Sequence, residues 1–227
     1  MNLLAIDTSA NLCAACVFDT EGQAELGRCV LDIGTGHAER LMEVIADALD
    51  KAALGYADLG AVAVSVGPGS FTGVRIGVSA ARGLAMALNI PAIGGTTLDA
   101  LALESRKIFP NNKMLAVVDA RREEVYAALY ARDGALEWGP ALTTVPEMAN
   151  LAGAEHPALC GSAARAVAGA AGMTEVDFGS LSATADIAVY ARLAASRGPA
   201  AERPKPLYLR GAGAKAQTGF ALPRRAG

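Results

Sequence analysis

Aromatic and histidine side chains are scarce in this sequence, which also lacks any run of about 18 apolar residues, the length that a membrane-spanning helix needs. Phe, Trp and Tyr make up 5% of the 227 residues, and there are two histidines. The first residues, MNLLAID, have neither the basic start nor the long apolar core of a secretion signal. We therefore expect a cytoplasmic protein that does not bind a membrane.

Cysteine is also sparse, and its spacing does not predict a metal site. Cys13 and Cys16 have the spacing of a redox or zinc pair, but they lie in an apolar strand, where residues three apart point to opposite faces. No second pair completes a zinc site, and neither His37 nor His156 has a partner at ligand spacing. We expect reduced, buried thiols and no metal.

Charged residues are only 19% of the chain and are unevenly distributed. Residues 202–227 contain six basic residues and one acidic residue, a net charge of +5, which leaves −8 on residues 1–201. An acidic body argues against nonspecific nucleic-acid binding by the folded part. Residues 211–227 have no apolar periodicity, and we expect a flexible basic tail there.

Apolar runs and turn residues predict an α/β protein with a mixed sheet in the first half of the chain. The predicted elements, in order, are strands 3–7, 14–18 and 23–31, helix 37–54, strand 61–66, helix 70–89, strand 90–94 and a helix from Thr96. Helix 37–54 is amphipathic, with apolar residues at steps of three and four and acidic residues opposite. This order of elements is typical of mixed sheets flanked by helices.

The start of this pattern repeats later in the chain. Residues 114–119 (MLAVVD) resemble residues 3–7 (LLAID), and a second strand and a turn follow at similar distances. We therefore predict two similar lobes, residues 1–108 and 109–210. In the second lobe the sequence predicts a strand at 159–161, a helix at 183–197 and a final strand at 207–209.

A glycine-rich segment between a predicted buried strand and a helix, residues 67–73 (GPGSFTG), is the most informative motif. Such a turn can direct backbone N–H groups at an anion, which makes Gly67, Gly69, Ser70, Thr72 and Gly73 candidate anion-binding residues. The lysine of a phosphate-binding P-loop is missing, however. A tight turn shaped for packing or for a partner remains the alternative.

Asp7 and Asp119 each end the first strand of a lobe, where a pair of acids could hold magnesium and a nucleotide between lobes. Neither acid is followed by a glycine-rich hairpin, and a capping or turn aspartate explains each equally well. No serine has a histidine credibly placed as a base. From the residues alone, we find no complete catalytic set.

Four segments together resemble one family: 3–9 (LLAIDTS), 67–77 (GPGSFTGVRIG), 119–126 (DARREEVY) and 206–210 (PLYLR). They are similar to the TsaB (YeaZ) family, the dimerisation subunits of the bacterial tRNA threonylcarbamoyladenosine machinery. Gly211 departs from that family, in which asparagine is usual. The resemblance implies an actin-like ATPase (ASKHA) fold of two ribonuclease-H-like lobes with mixed, five-stranded-type sheets, and no independent catalysis.

The resemblance further implies a heterodimer with TsaD, which transfers a threonylcarbamoyl group from its adenylate to the adenosine beside the anticodon in tRNAs reading codons that begin with A. TsaE would reset the complex. ATP and a metal ion are expected on these partners and no cofactor on this chain, which would meet tRNA only through the complex. TsaD binds metal through a His-x-x-x-His helix, and the corresponding residues here are His37 and Leu41.

Helices 37–54 and 70–89 are expected to form a helical bundle with the equivalent pair of TsaD, or with a second copy of this chain when TsaD is absent. The predicted contact residues are Leu41, Val44, Ala48, Phe71, Arg75, Val78 and Arg82. Two alternatives stay open: a free-standing ATP-dependent phosphotransferase or ATPase, and a tRNA-binding module that acts through the basic tail.

Overall fold

The computed structural model describes residues 1–198 and 202–210. The predicted basic tail, 211–227, lies outside this range. The elements are β1 Asn2–Asp7, β2 Leu12–Asp19, β3 Ala24–Asp32, α1 His37–Lys51, a 3-10 turn Tyr56–Asp58, β4 Leu59–Ser65, α2 Phe71–Leu88, β5 Ala92–Gly95, α3 Thr97–Arg106, β6 Met114–Asp119, β7 Glu124–Tyr130, β8 Leu136–Thr144, α4 Val145–Glu155, β9 Ala158–Cys160, α5 Ala164–Ala170 and α6 Ile187–Arg197.

The strands form two sheets with related topology. The first has the order β3-β2-β1-β4-β5, and the second has the order β8-β7-β6-β9. In each sheet the first strand along the chain pairs antiparallel with the second and parallel with the fourth. Both sheets are mixed, as expected; within the described residues the second has four strands, and an isolated parallel bridge between Leu159 and Phe178 lies where the first sheet has its fifth strand.

Helices and sheets alternate in layers. α1 and α2 cover the outer face of the first sheet, and α4 and α5 cover the outer face of the second. α3 and α6 lie in the core between the two sheets. Cys13 packs in the outer core of the first sheet and Cys16 in the core between the sheets, as their spacing predicts; burial raises the pKa of these thiols to about 11 and about 12.

Two predicted elements of the second half need correction, and three observed ones were missed. α6 begins at Ile187 rather than at residue 183, because Asp186 caps it by accepting a hydrogen bond from the amide of Ala188. β8, α4 and α5 were not predicted. Residues 207–209 form no strand; the amide of Leu207 donates one backbone bond, to the carbonyl of Val66 at 2.8 Å.

No helix within residues 1–198 or 202–210 combines the length and the apolarity that a bilayer crossing requires.

Candidate functional site

The glycine-rich loop between β4 and α2 is bonded to the turn that follows β1. The amide of Ser70 donates to the carbonyl of Ser9 at 2.7 Å, and the hydroxyl of Thr8 donates to the carbonyl of Gly73 at 2.7 Å. Ser70 also caps α2, because its side chain accepts from the amide of Gly73. The loop and the start of α2 are thereby fixed against the end of β1.

Close backbone contact explains the glycines of this segment. A Cβ atom added at Gly69 would overlap the carbonyl oxygen of Ser9, and one added at Gly73 would overlap that of Thr8. At Gly77 the added atom would come within 2.6 Å of the Thr8 hydroxyl. The amides of Ser70 and Gly73 already donate within the protein. Packing therefore accounts for the motif, and anion binding by residues 67–73 stays a prediction.

A cavity of about 790 Å³ lies between the carboxyl ends of β1 and β6, and we call it the interlobe cavity. Six of its fifteen lining residues carry a hydroxyl or an amide side chain and seven are glycine or apolar, with Asp119 as its one carboxylate and Arg121 as its one cation among the described residues. The lining residues are Ser9, Ala10, Asn11, Gly34, Gly69, Ser70, Phe71, Thr72, Val118, Asp119, Ala120, Arg121, Tyr126, Ser162 and Ala183. Asp7 does not line the cavity, so the two strand-end acids do not face each other across it.

Asp7 is instead part of a buried hydrogen-bond network. One carboxylate oxygen accepts from the amide of Ser9 at 2.8 Å, and the other accepts from the hydroxyl of Thr184 at 2.6 Å. Thr184 also bonds the hydroxyl of Tyr190 at 2.7 Å. Burial raises the pKa of the Asp7 carboxyl, and the bonds from Thr184 and Ser9 offset part of that increase. Asp7 thereby links the end of β1 to Thr184, which precedes α6, and through Thr184 to Tyr190 of α6.

Replacing Asp7 by asparagine is expected to raise the free energy of unfolding relative to wild type, and by more at pH 8 than at pH 4. Because the pKa of Asp7 is raised on folding, its stabilising contribution is complete below the unfolded value and is lost as pH rises through the folded value. Asparagine stays neutral: its Oδ1 can accept from the amide of Ser9, and its Nδ2 can donate to the hydroxyl of Thr184, which then donates to Tyr190. Urea denaturation at pH 4, 6 and 8 measures the difference in unfolding free energy between variant and wild type; a difference that does not grow with pH contradicts the prediction.

The turn between β6 and β7 is held by the end of the described chain. Arg121, Arg122 and Glu123 have φ of 67°, 58° and 65°, a left-handed conformation that costs non-glycine residues about 1–2 kcal/mol each. Arg210 donates to the carbonyl of Ala120 at 2.9 Å and to the carboxylate of Glu124 at 2.6 Å. No local pattern in the sequence predicts this pairing across 86 residues.

Four of the seven predicted partner contacts are core residues of this chain. Leu41, Val44, Ala48 and Val78 are at most 3% exposed and pack between the helices and the first sheet. The prediction that they touch a partner therefore needs correction: the apolar stripe of each helix faces its own sheet. The remaining three, Phe71, Arg75 and Arg82, are exposed.

An exposed surface runs along α2, and we call it the α2 face. It comprises Phe71, Arg75, Ser79, Arg82, Gly83, Met86 and Ala87, with Tyr208 from the segment 202–210 beside it. Phe71 and Met86, near the two ends of the face, are 60% and 69% exposed. The Arg75 guanidinium lies 3.7 Å from the Phe71 ring centre and donates from Nε to the Tyr208 hydroxyl at 2.8 Å. Sequence reasoning did not place Tyr208 here.

His37 lies at the first turn of α1, is buried and is bonded through Nε2 to the carbonyl of Leu12 at 3.2 Å. In the described part of the chain, no group of three His, Cys, Asp or Glu side chains is close enough to hold a metal ion.

The two related sheets, with helices between and outside them, define the actin-like ATPase (ASKHA) class. A polyphosphate/ATP-glucomannokinase from Arthrobacter shares the fold, with a TM-score of 0.51 over 87% of this chain and 99% of that chain at 14% identity. The family model described as TsaD, tRNA N6-adenosine threonylcarbamoyltransferase, matches residues 33–197. YeaZ from Pseudomonas aeruginosa has a TM-score of 0.74 and 28% identity over 92% of this chain and all of that chain.

The TsaB protein of Escherichia coli, named for tRNA threonylcarbamoyladenosine biosynthesis, is 37% identical over 134 residues. That match covers 59% of this chain and 56% of the E. coli protein, so it spans just over half of the relative's length. This chain belongs to the TsaB/YeaZ family. The resemblance inferred from the four sequence segments and the expected actin-like fold are both confirmed.

Proposed function

We propose that this protein is a non-catalytic scaffold subunit of the machinery that makes threonylcarbamoyladenosine in tRNA. In this proposal it binds and activates TsaD, which transfers the threonylcarbamoyl group from threonylcarbamoyl-AMP to the adenosine adjacent to the anticodon of tRNAs reading A-starting codons. The α2 face, which exposes the large apolar side chains of Phe71 and Met86, is the single observation that carries the proposal. The family assignment supports the pathway, and work on tRNA would place the protein in the cytoplasm.

The chemistry of the interlobe cavity supports a scaffold more than an enzyme. The Asp7 carboxylate is bonded to Ser9 and Thr184 rather than directed into the cavity. At the start of α2, where backbone amides would hold a phosphate, the amides of Ser70 and Gly73 donate to protein oxygens instead. We therefore propose that ATP and a metal ion act on the partner subunits, with TsaE resetting the complex. A free-standing ATPase is the alternative, and it predicts ATP turnover by this protein alone.

Self-association is part of the proposal. The exposed side of α1 carries four acids (Glu39, Glu43, Asp47 and Asp50) and two bases (Arg40 and Lys51), whereas α2 carries Arg75 and Arg82 and no acid. A two-fold axis that sets α1 of one copy against α2 of the other brings opposite charges together. We therefore propose that the homodimer and the TsaD heterodimer compete for one surface.

Replacing Met86 by aspartate is expected to abolish co-purification with TsaD and, in a reconstituted reaction, threonylcarbamoyl incorporation into tRNA. The change puts a charge at the most exposed large apolar side chain on the α2 face, while unfolding free energy should stay within about 0.5 kcal/mol. Leu136→Asp on β8, at a side chain that is 50% exposed, is the matched control and should keep full activity.

If a folded Met86→Asp variant still bound TsaD normally, the α2 face would not be part of the interface. ATP turnover by the isolated wild-type protein, at a rate that TsaD does not change, would favour the free-standing enzyme instead.

A further inference from the structure

The α2 face is cationic and carries no carboxylate. The sequence of α2, FTGVRIGVSAARGLAMAL, contains Arg75 and Arg82 and no acidic residue. The segment 202–210 adds Arg203 next to the C-terminal end of this helix. In an acidic protein, where charges of both signs are normally interspersed, a two-arginine helix without acids is a local excess of positive charge.

A cavity of about 310 Å³ lies at the C-terminal end of the α2 face. Arg82 and Arg203 flank it, and the rest of its lining is largely apolar, formed by Ala85, Met86, Asn89, Ile90, Pro91 and Ala92. Within the described residues, neither guanidinium is paired with a carboxylate, whereas those of Arg28, Arg40 and Arg197 are. The cavity thus combines two cationic donors with hydrocarbon walls.

Arg75 forms a second cationic position at the other end of the face. Phe71 stacks on its guanidinium, and the Tyr208 hydroxyl accepts from its Nε, which holds the group in place. Its terminal nitrogens have no carboxylate partner in the described residues. Arg75 and Arg82 are seven residues apart, which is about 10 Å along the helix.

We infer that the α2 face accepts a partner helix that presents two carboxylates about two turns apart, one over Arg75 and one in the cavity between Arg82 and Arg203. This inference rests on the proposed function and names the chemistry of the TsaD helix that binds there. The bidentate geometry of arginine suits carboxylates, and the surrounding apolar walls increase the strength of such pairs.

A protein helix fits this surface better than an RNA phosphate backbone. Ser79, Gly83 and Ala87 follow one another at steps of four along the face, and an added Cβ at Gly83 would meet nothing within 4 Å. Small side chains in such a row let a second helix approach closely. Phe71, Tyr208 and Met86 supply apolar contact area that a phosphate backbone would not use.

The double variant Arg82→Glu/Arg203→Glu tests the inference in the complex with TsaD. Both side chains are exposed, so the fold should be retained, as measured by circular dichroism and thermal midpoint. We expect its dissociation constant for TsaD to rise at least about tenfold. Wild-type affinity should fall with added salt, and this dependence should weaken in the variant. Arg122→Glu/Arg132→Glu, at exposed positions in the turns after β6 and β7, is the control with the same total charge change.

Reversal of an acidic residue of the TsaD helix to arginine should restore binding of the double variant, which would identify the carboxylate. Unchanged TsaD affinity of the double variant overturns the inference, as does a loss confined to self-association or to tRNA binding. Failure of the wild-type protein to bind TsaD at all would instead reject the proposed function, so the two failures are distinguishable.

Discussion

Replacing Gly73 by alanine is expected to destabilise the protein by at least about 2 kcal/mol, the largest effect of any single methyl addition on α2. The new Cβ would overlap the carbonyl oxygen of Thr8, which belongs to the backbone and cannot rotate away. The same backbone is fixed on both sides, by the bond from the Thr8 hydroxyl to Gly73 and by the bond from Ser70 to Ser9. Urea denaturation followed by circular dichroism measures the loss.

Gly83→Ala on the same helix is the matched control, with an expected effect of opposite sign. Nothing lies within 4 Å of the added atom, and alanine is favoured over glycine in a helix by about 1 kcal/mol. The control should therefore gain stability. Equal behaviour of the two alanine variants would show that close contact with Thr8 does not determine the glycine at position 73.

Replacing Val44 by aspartate is expected to lower the free energy of unfolding by at least about 4 kcal/mol and to unfold the first sheet and its helices. Val44 is 0% exposed and lies among apolar side chains, so the new carboxylate would have no hydrogen-bond donor and no counter-charge. Such a loss is a large fraction of the 5–15 kcal/mol that stabilises a typical domain.

Met42→Asp, two residues earlier on α1 and 48% exposed, should stay folded. Measured together, the two variants separate folding from binding. If Val44→Asp no longer binds TsaD, its unfolding is the reason, whereas a folded Met42→Asp that no longer binds TsaD shows that the exposed side of α1 contacts the partner. A stable, folded Val44→Asp variant would show that the core position of Val44 is wrong.

The periodicity of the sequence predicted the elements of the first sheet and of α1 and α2, but it could not show what each apolar stripe packs against. Leu41, Val44 and Ala48 of α1 repeat at the steps of an amphipathic helix, and the same pattern serves a helix on its own sheet or in a bundle with a partner. Only the three-dimensional arrangement shows that the sheet takes this stripe. The side chains on the opposite, exposed side of each helix are then the candidates for contact with a partner.

Other differences have equally physical causes. β8 is an edge strand whose residues are mostly exposed or half-buried, so it lacks the alternation that predicts a strand. Tyr208 and Arg210 reach their partners Arg75 and Glu124 across 133 and 86 residues, and local pattern has no information on such pairs. Residues 67–73 were predicted as an anion site or, alternatively, as a turn shaped for packing, and in the structure Gly69 and Gly73 pack against the backbone of Ser9 and Thr8.

The path of residues 207–210 has a consequence for association. Leu207 and Tyr208 are bonded to Val66 and Arg75 beside the first sheet, and two residues later Arg210 is bonded to the β6–β7 turn of the second. The segment therefore acts as a brace across the two halves, which resists hinge bending between them. A braced subunit gives up little internal freedom when it docks, so more of its contact energy remains as affinity.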